Sequence, residues 1–250
     1  MRGLTSTILL IVVLAGLVGY IYFVDTDRPP GETKPKVFEV SSENIEGVLV
    51  TNVSGDTARL QRVDANWQLI EPEKAEADAG VVSSVTSSLA ALEVQRVVDE
   101  NPVDLTQYGL NPPRIDVTFQ VKDQKDLQRL LVGELTPTGG DLYAKKPNDD
   151  RVFLISSYLD ATFNKTAFDF RDKAILKFER DTADHVELVK GATTLQLSRE
   201  GTEWRIVAPI SVRADYAAVE GIVSRLSSSQ MLEVAAEAAK DLRPYGLDRP

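Results

Sequence analysis

The sequence predicts an α+β fold: an N-terminal transmembrane helix, then two repeated units of antiparallel meander plus covering helix, with a β-rich segment between them. Three observations predict it. An uncharged apolar run occupies Leu4 to Val24, a Trp-x-x-x-x-Pro strand recurs 137 residues downstream, and in each copy strand-like alternation gives way to helical spacing after the proline.

The first element is the apolar run, LTSTILLIVVLAGLVGYIYFV. At about 1.5 Å per residue it matches a hydrocarbon core of roughly 30 Å. Arg2 precedes it and Asp25 and Asp27 follow, which favours a cytoplasmic N-terminus, with Tyr20, Tyr22 and Phe23 at the far interface. A cleaved signal peptide is the competing reading. Its apolar region is shorter and ends in small residues, whereas bulky aromatics stand here, so an uncleaved anchor over residues 1–24 is expected. Ala15 and Gly19 form a small-xxx-small pair, a pattern that ordinary membrane-helix composition also produces. Residues 25–36, DTDRPPGETKPK, are rich in proline and charge and are expected to be an extended tether.

The remainder divides into a first α+β unit over residues 37–170, with a β-rich second half, and a second unit over residues 171–250. Trp67-Gln-Leu-Ile-Glu-Pro72 recurs as Trp204-Arg-Ile-Val-Ala-Pro209. The same offset aligns Leu60 with Leu197, Arg62 with Arg199, Asp78 with Asp215, Leu89 with Leu226, and Tyr108-Gly109-Leu110 with Tyr245-Gly246-Leu247. Val48 to Asn52, Ala58 to Val63 and Trp67 to Ile70 alternate as strands between turn residues. Val81, Val82, Val85, Leu89 and Leu92 then share a helix face that Asp78 is placed to cap. Val219, Ile222, Val223 and Leu226 repeat that face after Asp215. Each Tyr-Gly-Leu reads as a stop signal: an aspartate caps one turn and glycine ends it in the left-handed region.

Between the units, Ile115 to Val121, Leu127 to Val132, Leu142 to Ala144 and Val152 to Ile155 have strand character, and Ser157 to Phe163 suggests a short helix. The second unit reaches Pro250, the counterpart of Pro113, without a matching β-rich half. The expectation is a truncated second unit: a fragment of a longer protein, or a sheet edge left for a partner.

Composition narrows the chemistry. A formal charge of -10 repels phosphate backbones, so nucleic acid is set aside as a partner. Absent cysteine removes disulfides, thiolate zinc sites, cysteine nucleophiles and lipoprotein processing. Asp181, Asp184 and His185 are the only cluster mixing carboxylates with imidazole. They sit in a turn, and one histidine leaves no second imidazole for a metal. Asp149-Asp150 reads as a soluble loop. Ser83, Ser84, Ser87 and Ser88 fall on the polar side of a helix, outside any G-x-S-x-G elbow. Trp67, Trp204, Tyr108 and Tyr245 read as core anchors. No catalytic, cofactor-binding or metal-ligating residue is assigned, and no cofactor is expected.

The W-x-[IL]-x-x-P strand with its Ala-Asp helix start, the Y-G-L-x-x-P stop and Phe170-Arg171-Asp172-Lys173 together resemble a family of bacterial repeat proteins. That family is classed as a domain of unknown function and is encoded beside gliding-motility-type ABC transporter components. The resemblance runs from Val37 to Pro250. It implies an envelope protein serving as an auxiliary subunit of a transport system, and it carries over no catalytic residue.

The expected function is therefore a non-catalytic, membrane-anchored extracytoplasmic module, an accessory or scaffold of an ABC-type transport system. Its expected partners are the membrane, through the N-terminal segment, and other membrane or transporter proteins, with any small-molecule ligand unknown. The alternatives are an envelope hydrolase or carbohydrate-active enzyme using acidic residues, and a secreted ligand-binding module.

Overall fold

The computed structural model of the chain describes residues 34–248. The anchor expected over residues 1–24 and the tether up to residue 33 lie outside them. Among the described residues, no helix is long and apolar enough to cross a membrane.

In the first unit, strands β1 (Ile45–Thr51), β2 (Thr57–Val63), β3 (Asn66–Glu71) and β4 (Ala75–Glu76) lead into helix α1 (Ala79–Ala90). Strands β5 (Arg96–Asp99), β6 (Ile115–Val121), β7 (Gln128–Leu135), β8 (Asp141–Lys145) and β9 (Val152–Ser156) follow, then short helices α2 (Leu159–Phe163) and α3 (Ala167–Phe170). The second unit holds β10 (His185–Lys190), β11 (Thr193–Glu200), β12 (Glu203–Ala208), β13 (Val212–Arg213) and helix α4 (Tyr216–Ser228).

The α+β expectation is corrected by this architecture. Strands take 38% of the structure and helices 21%, so the fold is mostly β-sheet. Nor is the β-rich stretch a segment between two units. It joins the first meander in one nine-stranded antiparallel sheet ordered β4-β3-β2-β1-β6-β7-β8-β9-β5, while β10-β11-β12-β13 form a second sheet. The junction is the β1–β6 ladder, where Val48 faces Phe119 and Val50 faces Val117. Alternation identifies each segment as a strand but does not say which edge receives it. Here β6 aligns its apolar set with that of β1, so one face becomes continuously apolar.

That face carries the core. Helix α1 buries Val82, Val85 and Leu89 against it, and Leu159 and Phe163 of α2 and Phe170 of α3 complete the cluster. Phe38 meets Phe119 edge-on at 4.9 Å between ring centroids. The second sheet has a smaller core of Leu197, Trp204, Ala214, Val219 and Val223.

The duplication extends to details that periodicity does not show. Ladder bulges fall between Arg59 and Leu60 and between Gln196 and Leu197, equivalent positions. Asp78 accepts from the amides of Gly80 and Val81, and Asp215 from that of Ala218. Arg62 and Arg199 each lie over their tryptophan, Trp67 and Trp204. Val48 pairs with Leu60 and Val186 with Leu197, so β1 and β10 correspond with an offset of 138, the second unit having one residue fewer between these two strands.

Each unit also opens the same way. Lys36 bridges Glu93 just beyond α1, and Ala174 bridges Gln230 just beyond α4. The amide of Val37 reaches the Leu92 carbonyl at 2.8 Å, and that of Ile175 reaches the Ser229 carbonyl at 3.1 Å.

Candidate functional site: a polar groove on the outer sheet face

The face of the nine-stranded sheet opposite α1 is built from the outward positions of its strands. Ladder registers place Thr51, Asp116, Leu131 and Lys145 in one row across β1, β6, β7 and β8, with Leu49, Thr118 and Arg129 in the next. Such a face is expected to be polar and solvated. Here the loop after β8 arches over it. Lys145 is buried although it points outward, because its ammonium donates to the Asp149 carbonyl and the loop closes above its stem.

The resulting groove has a volume of about 960 Å³ and is lined by Thr51 and Asp116 of the first row, by Leu49, Thr118 and Arg129 of the second, by Lys146 to Arg151 and by Glu100 and Asn101 after β5. Its charges are largely paired. Arg129 grips Asp116 with two nitrogens, Nε lying 2.9 Å from Oδ1. Arg151 does the same to Asp149, Nε to Oδ1 at 2.9 Å and Nη2 to Oδ2 at 2.8 Å. The Arg151 guanidinium hydrogen bonds hold the Asp149 carboxyl well below the usual carboxylate range, against the opposing effect of burial. Lys146 turns away to the Val37 carbonyl at 3.2 Å. What the groove offers a ligand is a set of fixed ion pairs with hydroxyl and amide groups from Thr51, Thr118, Asn101 and Asn148 between them.

The residues singled out in the sequence lie elsewhere, except Asp149 and Asp150 on the groove rim. Asp181 belongs to a 3-10 turn, Arg180–Thr182, and His185 opens β10 and is exposed. The Asp184 carbonyl takes the Arg199 amide at 2.8 Å, a ladder role. Ser83, Ser84 and Ser87 are exposed on α1 and Ser88 is half-buried. Among the described residues, no group of three or more His, Asp or Glu side chains is placed to hold a metal. Trp67 and Trp204 are buried, and Nε1 of Trp204 donates to Glu220 at 2.9 Å. Tyr108 gives its hydroxyl to Asp99 at 2.9 Å, whereas Tyr245 is exposed.

Sequence reasoning missed Glu100, Asp116 and Arg129. Asp116 and Arg129 occupy outward positions of neighbouring strands and carry opposite charges. That signal exists in the sequence, but it becomes a pair only once the register is known.

Phe170-Arg171-Asp172-Lys173 joins the units. The Phe170 carbonyl takes the Asp78 amide, the Asp172 amide reaches Glu76, and the Lys173 carbonyl takes the Met231 amide. Arg171 clasps Glu237 with two bonds, at 2.6 and 3.0 Å.

These shared details of duplicated strand, capped helix and linking segment coincide with a family match. The profile described as "Domain of unknown function (DUF4340)" matches residues 67–250. The chain belongs to this family. No curated protein and no solved structure matches the DUF4340 chain. The family match covers β4–β9, α1–α3, the linking segment and the whole second unit, while β1 and β2 precede it.

Proposed function

We propose that this DUF4340 chain is a non-catalytic binding module of the bacterial envelope, an accessory or scaffold of an ABC-type transport system. In this reading the apolar stretch Leu4–Val24 holds it at the cytoplasmic membrane, with its N-terminus inside and its folded part outside. One observation carries the non-catalytic reading: in the groove on the outer sheet face, Asp116 and Asp149 are each bound by an arginine. Acid–base chemistry needs one carboxyl kept protonated near neutrality, and an arginine partner favours the opposite state. Fixed ion pairs instead suit recognition of a polar surface.

Crosslinking in intact cells followed by purification of the native chain tests the partner. Transporter subunits in the eluate support the reading; repeated recovery of the chain alone overturns it. Protease added to spheroplasts tests the placement, because the folded part is then expected to be digested.

The enzyme alternative rests on Glu100 and Asp150, which line the same groove. Hydrolysis of an envelope glycan, lost in both Glu100→Gln and Asp150→Asn, would replace the binding reading.

A further inference from the structure

The loop that walls the groove is held in shape by its own bonds. The Asp149 amide donates to the Lys146 carbonyl at 3.1 Å, the Lys145 ammonium donates to the Asp149 carbonyl, and the Arg151 amide donates to Asp149 Oδ1 at 3.1 Å. Asp149 and Arg151 are therefore fixed above the sheet before any ligand arrives, which lowers the ordering cost of binding.

Charge narrows the ligand. An anion meets no uncommitted cation of the lining among the described residues: Arg129 and Arg151 are each closed on a carboxylate, and Lys146 donates to the Val37 carbonyl. Lys145, beneath the loop, is likewise taken by the Asp149 carbonyl. The formal charge of -10 on the chain adds a general repulsion. A metal ion finds no group of three carboxylate or imidazole side chains among the described residues. Glu100 and Asp150 are the lining carboxylates outside the ion pairs, and both are exposed, so solvent screens them. A flat or apolar ligand is served no better. The apolar residues of the lining are Leu49, Leu127 and Pro147, with no aromatic ring among the described residues there.

What these walls do suit is a neutral ligand dense in hydroxyls. A carboxylate has about four lone-pair sites and a guanidinium five N–H groups, and a bidentate pairing consumes about two of each. Each pair thus leaves acceptors and donors side by side. One hydroxyl of a vicinal diol can donate to the carboxylate while its neighbour accepts from the guanidinium. The Asp116 and Arg129 pair offers this on the floor of the groove, and the Asp149 and Arg151 pair on its wall. Thr51, Thr118, Gln128, Asn101 and Asn148 add groups that both donate and accept. The volume of about 960 Å³ lies near the top of the range of about 300–1,000 Å³ for small-ligand sites, with room for more than one sugar ring.

We propose that the groove binds a neutral oligosaccharide, with each arginine–aspartate pair engaging two adjacent hydroxyls. The inference rests on the binding reading above and names the ligand class of that site.

The test presents the detergent-solubilised full chain to an array of neutral di- to tetrasaccharides of glucose, galactose, mannose and N-acetylglucosamine, and measures the tightest of them by calorimetry. Saturable binding is expected, at least tenfold tighter than that of the matching uronic-acid sugar and insensitive to added salt. Arg129→Lys keeps the charge but loses the planar fork, and Asn148→Ala removes an amide from the wall. Each is expected to weaken binding at least tenfold. Arg59 pairs with Glu71 on the same sheet but does not line the groove, so Arg59→Lys is the control and is expected to leave binding unchanged. Unchanged tryptophan fluorescence confirms that the three variants fold.

No binding anywhere on the array overturns the proposal, as does tighter binding of the acidic sugar or binding indifferent to both groove substitutions. Transporter subunits lost from the crosslinking eluate in Arg129→Lys, with no sugar bound by the parent, would assign the groove to a protein and also overturn it. Competition by a polymer of the same sugar identifies a glycan chain as the source, and its failure a free oligosaccharide; both support the site. Sugar binding together with a crosslinking eluate free of transporter subunits would sink the transport reading and leave this site standing; the reverse pair would do the opposite. A bound sugar that is cut would replace the non-catalytic reading and keep the ligand class.

Discussion

Gly133 on β7 lies so close under the Tyr108 carbonyl that a methyl group in place of its hydrogen would sit 2.0 Å from that oxygen. The contact holds the first Tyr-Gly-Leu element on the sheet, with Gly109 in the left-handed region at φ 65° and Leu110 buried beside it. Gly133→Ala must move backbone, since no flexible side chain can yield. A loss of about 3 kcal/mol or more is expected from overpacking at such a site. Gly47→Ala, whose new methyl would meet its nearest neighbours at 3.7 Å, is the control and is expected to stay within about 0.5 kcal/mol. Denaturant midpoints of the two variants check both.

This contact also shows where the sequence stops being legible. The Tyr-Gly-Leu stop could be read in full, down to its aspartate caps: Asp104 accepts the Thr106 amide and Asp241 the Arg243 amide. Its docking partner could not, because Gly133 stands in a strand whose place in the sheet depends on long-range pairing. The run Ile115–Val121 coincides with β6, yet nothing in its own residues indicates that it closes onto β1 rather than forming a separate layer. Strands as short as β4 and β13, two residues each, carry no period at all. The groove was hidden for the same reason: Thr51, Asp116 and Lys145 are distant in sequence and adjacent only through three ladders.

The helix caps are a local feature and give a local prediction. Asp78 satisfies two orphan amides of α1, at 2.8 and 3.1 Å, and Asp215 one of α4, at 3.1 Å. Asp78→Ala and Asp215→Ala are each expected to cost about 1 kcal/mol, the former more. Asparagine at either position is expected to restore most of the loss, since its side-chain oxygen accepts the same bonds. Thermal or urea unfolding of the four variants measures this.

Acid should weaken the fold through a few identifiable carboxyls. Arg151 holds Asp149 low, and Lys177 and the Ala174 amide hold Asp172 low. Burial pushes Asp169 up, but bonds from the Thr166 amide and hydroxyl outweigh it and leave it low. A carboxyl whose folded value is depressed contributes stability that is complete above its unfolded value of about 4 and is lost as pH falls through the folded value. The urea midpoint is therefore expected to be flat from pH 8 to about 5 and to fall below about 4. Asp149→Asn is expected to be less stable than the parent at pH 7, with the gap closing toward pH 2. A gap that stays constant over that range would mean the Arg151 pairing does not contribute.

The two cores differ enough to unfold separately. The first buries twenty-six apolar side chains in the described structure, the second five, with Trp204 the largest of them. Stability grows with buried apolar area, and a small sheet whose β10 and β13 edges are both unpaired among the described residues, with Leu188, Leu226 and Leu247 exposed, has little to set against its conformational entropy. The chain has two tryptophans, one in each core, so Trp67→Phe leaves Trp204 as the reporter of the second unit and Trp204→Phe leaves Trp67 for the first. The Trp204 signal is expected to change at lower urea than the Trp67 signal. Opposing this are the junction contacts, Arg171 with Glu237 and Lys177 with Glu76 and Asp172. Solvent screens exposed ion pairs of this kind, which leaves them too weak to tie the small core to the large one. Coincident transitions would show that the linking segment Phe170–Lys173 couples the units more strongly than its ion pairs imply.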